Sequence, residues 1–576
     1  MLKKLYLLPL CLIFFVPLIV CEKILILPDH LKNFWIAGVN FDYFSYYKSK
    51  VLLILVLFSL ISLLYSLRKD EISIKSSKLY IPLFVYLFFI IMSTIFSKYK
   101  DISLWGFPDR YEGAMVLFSY IIIFFVFALV PKIKDTQIIL NSFLISSFLI
   151  GVISMLQFFN LDFIKSYIVG KLHIFQLQYL GKVYIKFNPG PRYVYATLYN
   201  SNYVGSFMAI SFIVTFILYV LNNEKKRIIY GILSVIMFFS LIACHSRAGI
   251  LGVMVAVIFF AVYKYKEILK NFKFVAPILI IYLLVYVFIN TLSSSYIGNK
   301  IESLFVDINK TITNSTNNNL RDVKIYNNAV CLNFDKATLN FVFDNEKIFA
   351  TDENNKRVSF KFDSNKNEFL FENPTYSQLK YFINNYNNMP VLILNNGYDN
   401  LNLIKTKEGF KILSFSGKIN NINPVDKIDV KGKEKLGSGR VYIWSRSIPL
   451  IKNTLFLGYG PDTYALYFPQ YDYIGKFLFL GTPSILVDKP HNMYLQNAIN
   501  IGVIGTLAFL IFILCYLIFS FKAINTLKDS SLSTISISIF FALIAYLVAG
   551  VFNDSVVYVA PLFWALGGLN FKILNN

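Results

Sequence analysis

Charge is scarce in this chain of 576 residues: Asp, Glu, Lys and Arg make up 15% of it, whereas 56% is hydrophobic. Soluble domains carry about a quarter charged residues, so water is excluded as the solvent for most of the chain. Acids are rarer than bases, 33 against 55, which leaves a formal net charge of +22. Cysteine is sparse and unpaired in spacing, at positions 11, 21, 244, 331 and 515. Cys331 is alone in the long polar stretch, which excludes an internal disulfide there, and no zinc-ligand pattern exists. Nothing resembles an Asp-x-Asp cation cluster or the paired carboxylates of a glycoside hydrolase.

Long apolar runs are what is present. A membrane span needs roughly 20 apolar residues, and about twelve segments qualify, near 5–21, 51–67, 79–97, 113–130, 138–159, 203–221, 228–244, 250–263, 274–292, 493–520, 532–552 and 556–571. With that count, Lys3-Lys4, Arg68-Lys69, Lys132, Lys134, Lys225-Lys226-Arg227, Lys264 to Lys273, Lys522 and Lys528 share one side. By the positive-inside rule that side is the cytoplasm, which places both termini there and explains the basic surplus without nucleic acid. The loops 22–50, 98–112, 160–202, 245–249, 293–492 and 553–555 are then external. The first run could be a secretory signal, but Val20 suits a cleavage site poorly, and a retained helix is the preferred reading.

Between about 300 and 435 the composition turns to Asn, Lys, Asp and Ser. Alternating runs at 337–343, 357–362, 390–394 and 410–415, with turns such as Asn395-Asn396-Gly397, predict a β-sandwich-like module. Its aromatics serve either a spacer's own core, which is favoured, or a glycan-stacking surface. Asn309-Lys310-Thr311 and Asn314-Ser315-Thr316 match the glycosylation pattern, as Asn-rich sequence does by chance. The fold class expected is an all-α polytopic membrane protein of about twelve transmembrane helices with an inserted extracytoplasmic β-rich domain. Its divisions are 1–295 N-terminal membrane helices, 296–435 β-rich insert, 436–492 external catalytic loop and 493–576 C-terminal membrane helices.

Among the four histidines, at 30, 173, 245 and 491, His491 is distinctive: Pro490 precedes it and a helix follows from Asn492. An imidazole at such an interface suits proton abstraction from a hydroxyl; it equally suits helix capping. External or boundary arginines are few, namely Arg110, Arg192, Arg247, Arg440 and Arg446. Guanidinium is the preferred fork for a diphosphate, and Arg247, between two spans, is costly unless used or paired. Arg446 lies off the Arg440/Trp444 face and is expected to be solvated.

Ser438-Gly439-Arg440, Trp444, Gly458-Tyr459-Gly460 and His491 to Leu495 with Gly502 and Gly505 resemble the O-antigen ligase and polymerase superfamily of Wzy_C-like membrane glycosyltransferases. Arg110 to Gly113, Tyr199 to Gly205 and Ser246 to Gly249 are similar to its other patches, so the resemblance runs from about 100 to 570. The 300–435 insert departs from the shorter loop of the ligases. The resemblance implies metal-independent transfer of a glycan from an undecaprenyl-diphosphate carrier to a glycan, lipid or protein acceptor, with no cofactor, at the external face of the bacterial cytoplasmic membrane. It gives His491, Arg440 and Arg247 catalytic roles and Arg192, Arg110, Trp444 and Tyr494 substrate-binding ones. Ligase, polymerase and protein O-oligosaccharyltransferase stay open, and a small-anion transporter is the competing class, though it would place charges near the midplane.

Overall fold

A computed structural model describes residues 6–32, 39–68, 77–175, 189–222, 226–293, 320–344, 347–414 and 417–575. The Asn309 and Asn314 tripeptides lie outside these. The chain forms two compact units. The first is Met1–Asn299, Asn453–Tyr464 and His491–Asn576, and the second is Lys300–Lys452 and Ala465–Pro490.

The first unit is helical. Its main helices are α1 (Leu8–Ile13), α2 (Tyr46–Arg68), α3 (Tyr80–Ile95), α4 (Ala114–Leu129), α5 (Thr136–Phe158), α6 (Phe163–Phe175), α7 (Ser201–Leu221), α8 (Lys226–Ala243), α9 (Arg247–Tyr263) and α10 (Phe272–Leu292). Among the described residues seven helices are long and apolar enough to cross a membrane: α2, the run Ile133–Phe158 that contains α5, α7, α8, α10, and two C-terminal helices, Val503–Ile524 and Ser530–Ala549. Four more are apolar but shorter: α3, α4, α9 and Ala560–Leu574. Helix α7 is the most enclosed, buried along nearly its whole length, and packs against α8, α9 and Ser530–Ala549. The lipid-facing character of the others shows in exposed Ile, Leu and Phe along α2, α3 and α10.

Two expected spans differ from the sequence reading. The run 5–21 is not one helix: α1 ends at Ile13 and a 3₁₀ turn, Val16–Leu18, follows. Pro17 has no N–H to continue the ladder. Carbonyls at the break are satisfied from elsewhere, Phe14 by the Ser146 hydroxyl at 2.5 Å and Pro17 by the Thr197 hydroxyl at 2.7 Å. The run 493–520 is likewise two helices, because Gly502 at φ +105° separates Met493–Asn500 from Val503–Ile524.

Glycines explain why these helices approach so closely. A Cβ on Gly205 of α7 would lie 2.1 Å from the Ser246 Cβ, and one on Gly249 of α9 would lie 2.5 Å from the Gly205 carbonyl oxygen. A Cβ on Gly458 would lie 2.3 Å from the Asn500 carbonyl, beside which Tyr459 and Gly460 donate their N–H groups to the carbonyls of Ile499 and Asn500 at 3.0 and 2.8 Å. Side chains there would force backbone apart, since interiors yield little to overpacking, at about 1–3 kcal/mol or more. Gly458→Ala is therefore expected to lower the melting temperature of the purified protein by several degrees. Gly170→Ala, where nothing lies within 4 Å, leaves it unchanged or slightly raised; equal melting of the two variants would remove this account.

The second unit holds two antiparallel sheets. Strands β3 (Leu320–Ile325), β4 (Ala329–Phe334), β5 (Thr338–Asp344) and β6 (Lys347–Thr351) form a four-stranded meander; β1 (Lys23–Ile26) and β2 (Val39–Asp42) pair in the first unit. Strands β7 (Phe360–Asp363), β8 (Glu368–Phe371), β9 (Lys380–Tyr386), β10 (Met389–Asn395), β11 (Asn400–Thr406), β12 (Gly409–Leu413) and β13 (Ile419–Asn420) form a seven-stranded one. The alternation in β4 and β5 buries Val330, Leu332, Leu339 and Phe341 against Leu392, Leu394, Leu401 and Leu403 of the larger sheet. Helices α11 (Arg440–Ser447) and α12 (Tyr473–Leu480) complete the unit, and Phe477 of α12 enters the β core.

Candidate functional site

His491 begins the last stretch of the first unit. Its backbone is left-handed, φ +53°, a conformation costly for a side chain with a Cβ. It is held by Pro490 before it and by Asn492 after it, whose side chain accepts the Tyr494 and Leu495 N–H groups at 3.0 Å and caps α13 (Met493–Asn500). The Met493 N–H then bonds the carbonyls of Gly550 and Asn553, 2.9 and 3.0 Å away. After α14 (Val503–Ile524), that contact brings in the turn between α15 (Ser530–Ala549) and α16 (Ala560–Leu574). His491 Nδ1 lies 3.1 Å from Asp554 Oδ2; the carboxylate is 1% exposed and the imidazole 29%. A buried carboxylate on Nδ1 fixes the ring with Nε2 as the nitrogen able to take a proton.

The same turn reaches α7 and, through it, Arg247. Asn553 donates its amide to the Asn202 carbonyl and the Ser206 hydroxyl at 3.1 and 2.8 Å. Gly205 packs on Ser246, the N-cap of α9, and Arg247 is the first residue of that helix. The N-termini of α7, α9 and α13, capped by Asn200, Ser246 and Asn492, are thus joined at one end of the unit. Three positive helix ends, one of them opening with Arg247, make a setting for an anion.

A second buried cluster lies behind Asp554. Arg110, in the loop between Gly106 and Gly113, donates Nε to Asp462 Oδ1 at 2.6 Å, and its Nη2 is 3.6 Å from Glu112 Oε2. Asp462 Oδ2 also accepts the N–H groups of Phe107 and Glu112, at 2.7 and 3.1 Å. Glu112 Oε1 accepts the hydroxyls of Tyr120 and Ser555, both at 2.7 Å. One guanidinium between two carboxylates leaves a surplus negative charge away from water. Burial pushes the Glu112 carboxyl up to about 7, against the pull of Arg110, Ser555 and Tyr120. Glu112, Asp462, Gln496 and Asn500 line a cavity of about 40 Å³, enough for buried water.

In the second unit Arg440 starts α11, with Nη1 donating to the Gly437 carbonyl at 3.2 Å. Trp444 donates its indole N–H to the carbonyl of Pro490, the residue bonded to His491, at 2.7 Å. Arg446 corrects the expectation of a solvated side chain: it is buried, its Nε is 3.1 Å from Asp472 Oδ2, and its guanidinium stacks on Tyr442 at 4.3 Å. Asp472 also accepts the Tyr442 hydroxyl and, through its other oxygen, the Gly475 N–H, both at 2.9 Å, so it caps α12 and fastens it to α11.

The residues singled out from sequence therefore fall in two places. His491, Arg247, Arg110, Arg192 and Tyr494 belong to the first unit, Arg440 and Trp444 to the second. Arg110 is buried and paired rather than open. Arg192 is half-exposed beyond α5, its N–H on Asn160 at 2.9 Å and its guanidinium 6.0 Å from the Phe158 ring. Tyr494 spends its hydroxyl on the Leu547 carbonyl at 2.8 Å. Asp554, Asp462 and Asp472 were missed. Asp554 had a readable signal, since a carboxylate in a three-residue link between apolar runs is as costly as Arg247.

A helical unit with seven membrane-crossing candidates, carrying a histidine–carboxylate pair beside gathered helix N-termini, defines a multi-pass membrane protein with a built polar site. Residues 391–510 match the Wzy_C family model, O-Antigen ligase, which supports the O-antigen ligase superfamily and a ligase- or polymerase-type function in general. The match runs from β10 through α11, α12 and His491 into the helix Val503–Ile524. No curated protein and no solved structure matches the chain.

The carboxyl of Glu112 keeps its proton to higher pH in the folded protein than in the unfolded chain, so the folded state binds more protons between about 4.5 and about 7. Stability should fall as pH rises through that window, and Glu112→Gln should flatten the slope of melting temperature against pH in nanodiscs. An unchanged slope would assign the pH dependence to other groups.

Proposed function

We propose that this chain transfers a glycan from an undecaprenyl-diphosphate carrier to an acceptor hydroxyl at the external face of the bacterial cytoplasmic membrane, without a metal ion. The observation that carries the reading is the His491–Asp554 pair, 3.1 Å apart, at the end of the unit where three helix N-termini and Arg247 gather. In this reading the shorter helices α3, α4, α9 and α16 and the broken first segment also cross, giving about twelve passages. The termini are then cytoplasmic, and the β-rich insert 296–435 and the loop 436–492 are external.

The acceptor O–H gives its proton to His491 Nε2 as its oxygen bonds the anomeric carbon. The bond from that carbon to the diphosphate oxygen breaks, and the electron pair leaves on the carrier. A single displacement of this kind inverts the anomeric centre. Asp554 holds the imidazole and stabilises the imidazolium that forms. The diphosphate needs its growing charge neutralised rather than protonated, and within the first unit that falls to Arg247 and the helix ends, with Arg192 on the exposed carrier side; Arg440 keeps the catalytic role that the resemblance gives it. Arg110 is assigned a positioning role through Asp462, and Trp444 one through the Pro490 carbonyl; Tyr494 packs under the acceptor.

With carrier-linked glycan in liposomes, release of lipid diphosphate and growth or shift of the product are the readouts. His491→Ala should abolish both, and Asp554→Asn should slow them by about 10²–10⁴-fold, the usual worth of positioned acid–base catalysis. Arg247→Ala should weaken carrier binding, with inversion at the product anomeric carbon seen by NMR. Full activity in the His491 variant, or solute flux with no release, would overturn the proposal.

A further inference from the structure

The second unit contains an open cavity of about 670 Å³ that the transfer chemistry does not use. Its walls come from four elements: the start of β3, the linker 423–435, and the faces of α11 and α12. We infer that this cavity, built by the insert together with α11 and α12, binds a short saccharide segment of the acceptor or of the growing product; the inference rests on the glycan-transfer reading.

Size and lining point to that ligand. The volume falls within the range of small-molecule sites, roughly 300–1,000 Å³. Arg321, Asp322, Lys427, Glu434 and Lys435 line it, so donors and acceptors of both charges face the same space. Such a mixture repels neither a neutral sugar nor one bearing a single acid or amine. It offers no continuous positive track for a polyphosphate chain. Val323, Val425, Ile474, Leu478 and Phe479 supply an apolar face, which suits the C–H side of a pyranose ring.

Preorganisation is the second argument. Arg446 lines the cavity while its Nε is held by Asp472 at 3.1 Å, its Nη1 by Ser445 at 2.8 Å and its plane by Tyr442. A guanidinium fixed on one side loses little rotamer freedom when another group accepts from it. Vicinal sugar hydroxyls, spaced to meet planar side chains two at a time, fit fixed groups of this kind. An apolar pocket for a peptide side chain would not need them.

The test uses the full-length protein in nanodiscs, fluorescently labelled and applied to a printed array. The array carries neutral, N-acetylated and uronic-acid-containing oligosaccharides beside extended Ser/Thr-rich peptides. Asp322→Ala/Lys435→Ala and the cavity-filling Leu478→Trp are run in parallel, and lipid-diphosphate release from carrier-linked glycan is measured for every protein. Capture of a class of oligosaccharide that falls at least tenfold in both variants is expected. Saccharide capture equal in all three proteins, capture of peptides alone, or no capture overturns the cavity assignment, even where release shows transfer intact. Capture lost in the variants with no release from the unaltered protein would leave the cavity standing and overturn the transfer reading instead.

Discussion

Asp462 carries the constraint on which the helical unit most depends. Its buried carboxylate gathers one guanidinium and two backbone N–H groups, and leaving any of them unmatched there costs several kcal/mol. Arg110 cannot leave without stranding Asp462, and Asp462 cannot leave without stranding Arg110. The loop 106–113 and the segment 453–464 are therefore fixed together. Through Glu112 and Ser555 the same cluster fixes the turn that carries Asp554. The histidine partner is placed by a network whose members never touch a substrate in the proposed chemistry.

This divides the signature patches by physical role. Gly458-Tyr459-Gly460 and the pair Gly205 and Gly249 are places where backbone meets backbone, and their sequence pattern records packing. Arg110 belongs to the fixing network. His491 with Asp554, and Arg247 at a helix start, are where chemistry is available. Arg440 and Trp444 lie in the other unit.

Much of the helical pattern was legible because apolar runs announce themselves. The strand pattern in the insert was legible through alternation, as at Val330, Leu332, Leu339 and Phe341. The breaks at Pro17 and Gly502 were not, since hydropathy is blind to a missing N–H or a positive φ. His491 stood out by its flanking Pro490 and Asn492. Arg446 was misjudged because helical phase tells which side a residue is on and nothing of what is packed against that side. Asp472, which decides its fate, is 26 residues away. Asp554 lies 63 residues from His491, and no local spacing rule connects them.

The second unit is discontinuous in sequence, made of Lys300–Lys452 and Ala465–Pro490 with part of the helical unit between them. Its β core includes Phe477 from the later piece. During vectorial synthesis the strands therefore emerge before Phe477, which joins their core only after the intervening segment has been made. The insert is consequently not a cassette that can be cut out at residues 300 and 435. Its completion is timed by the ribosome's arrival at α12, just ahead of the chain that delivers His491.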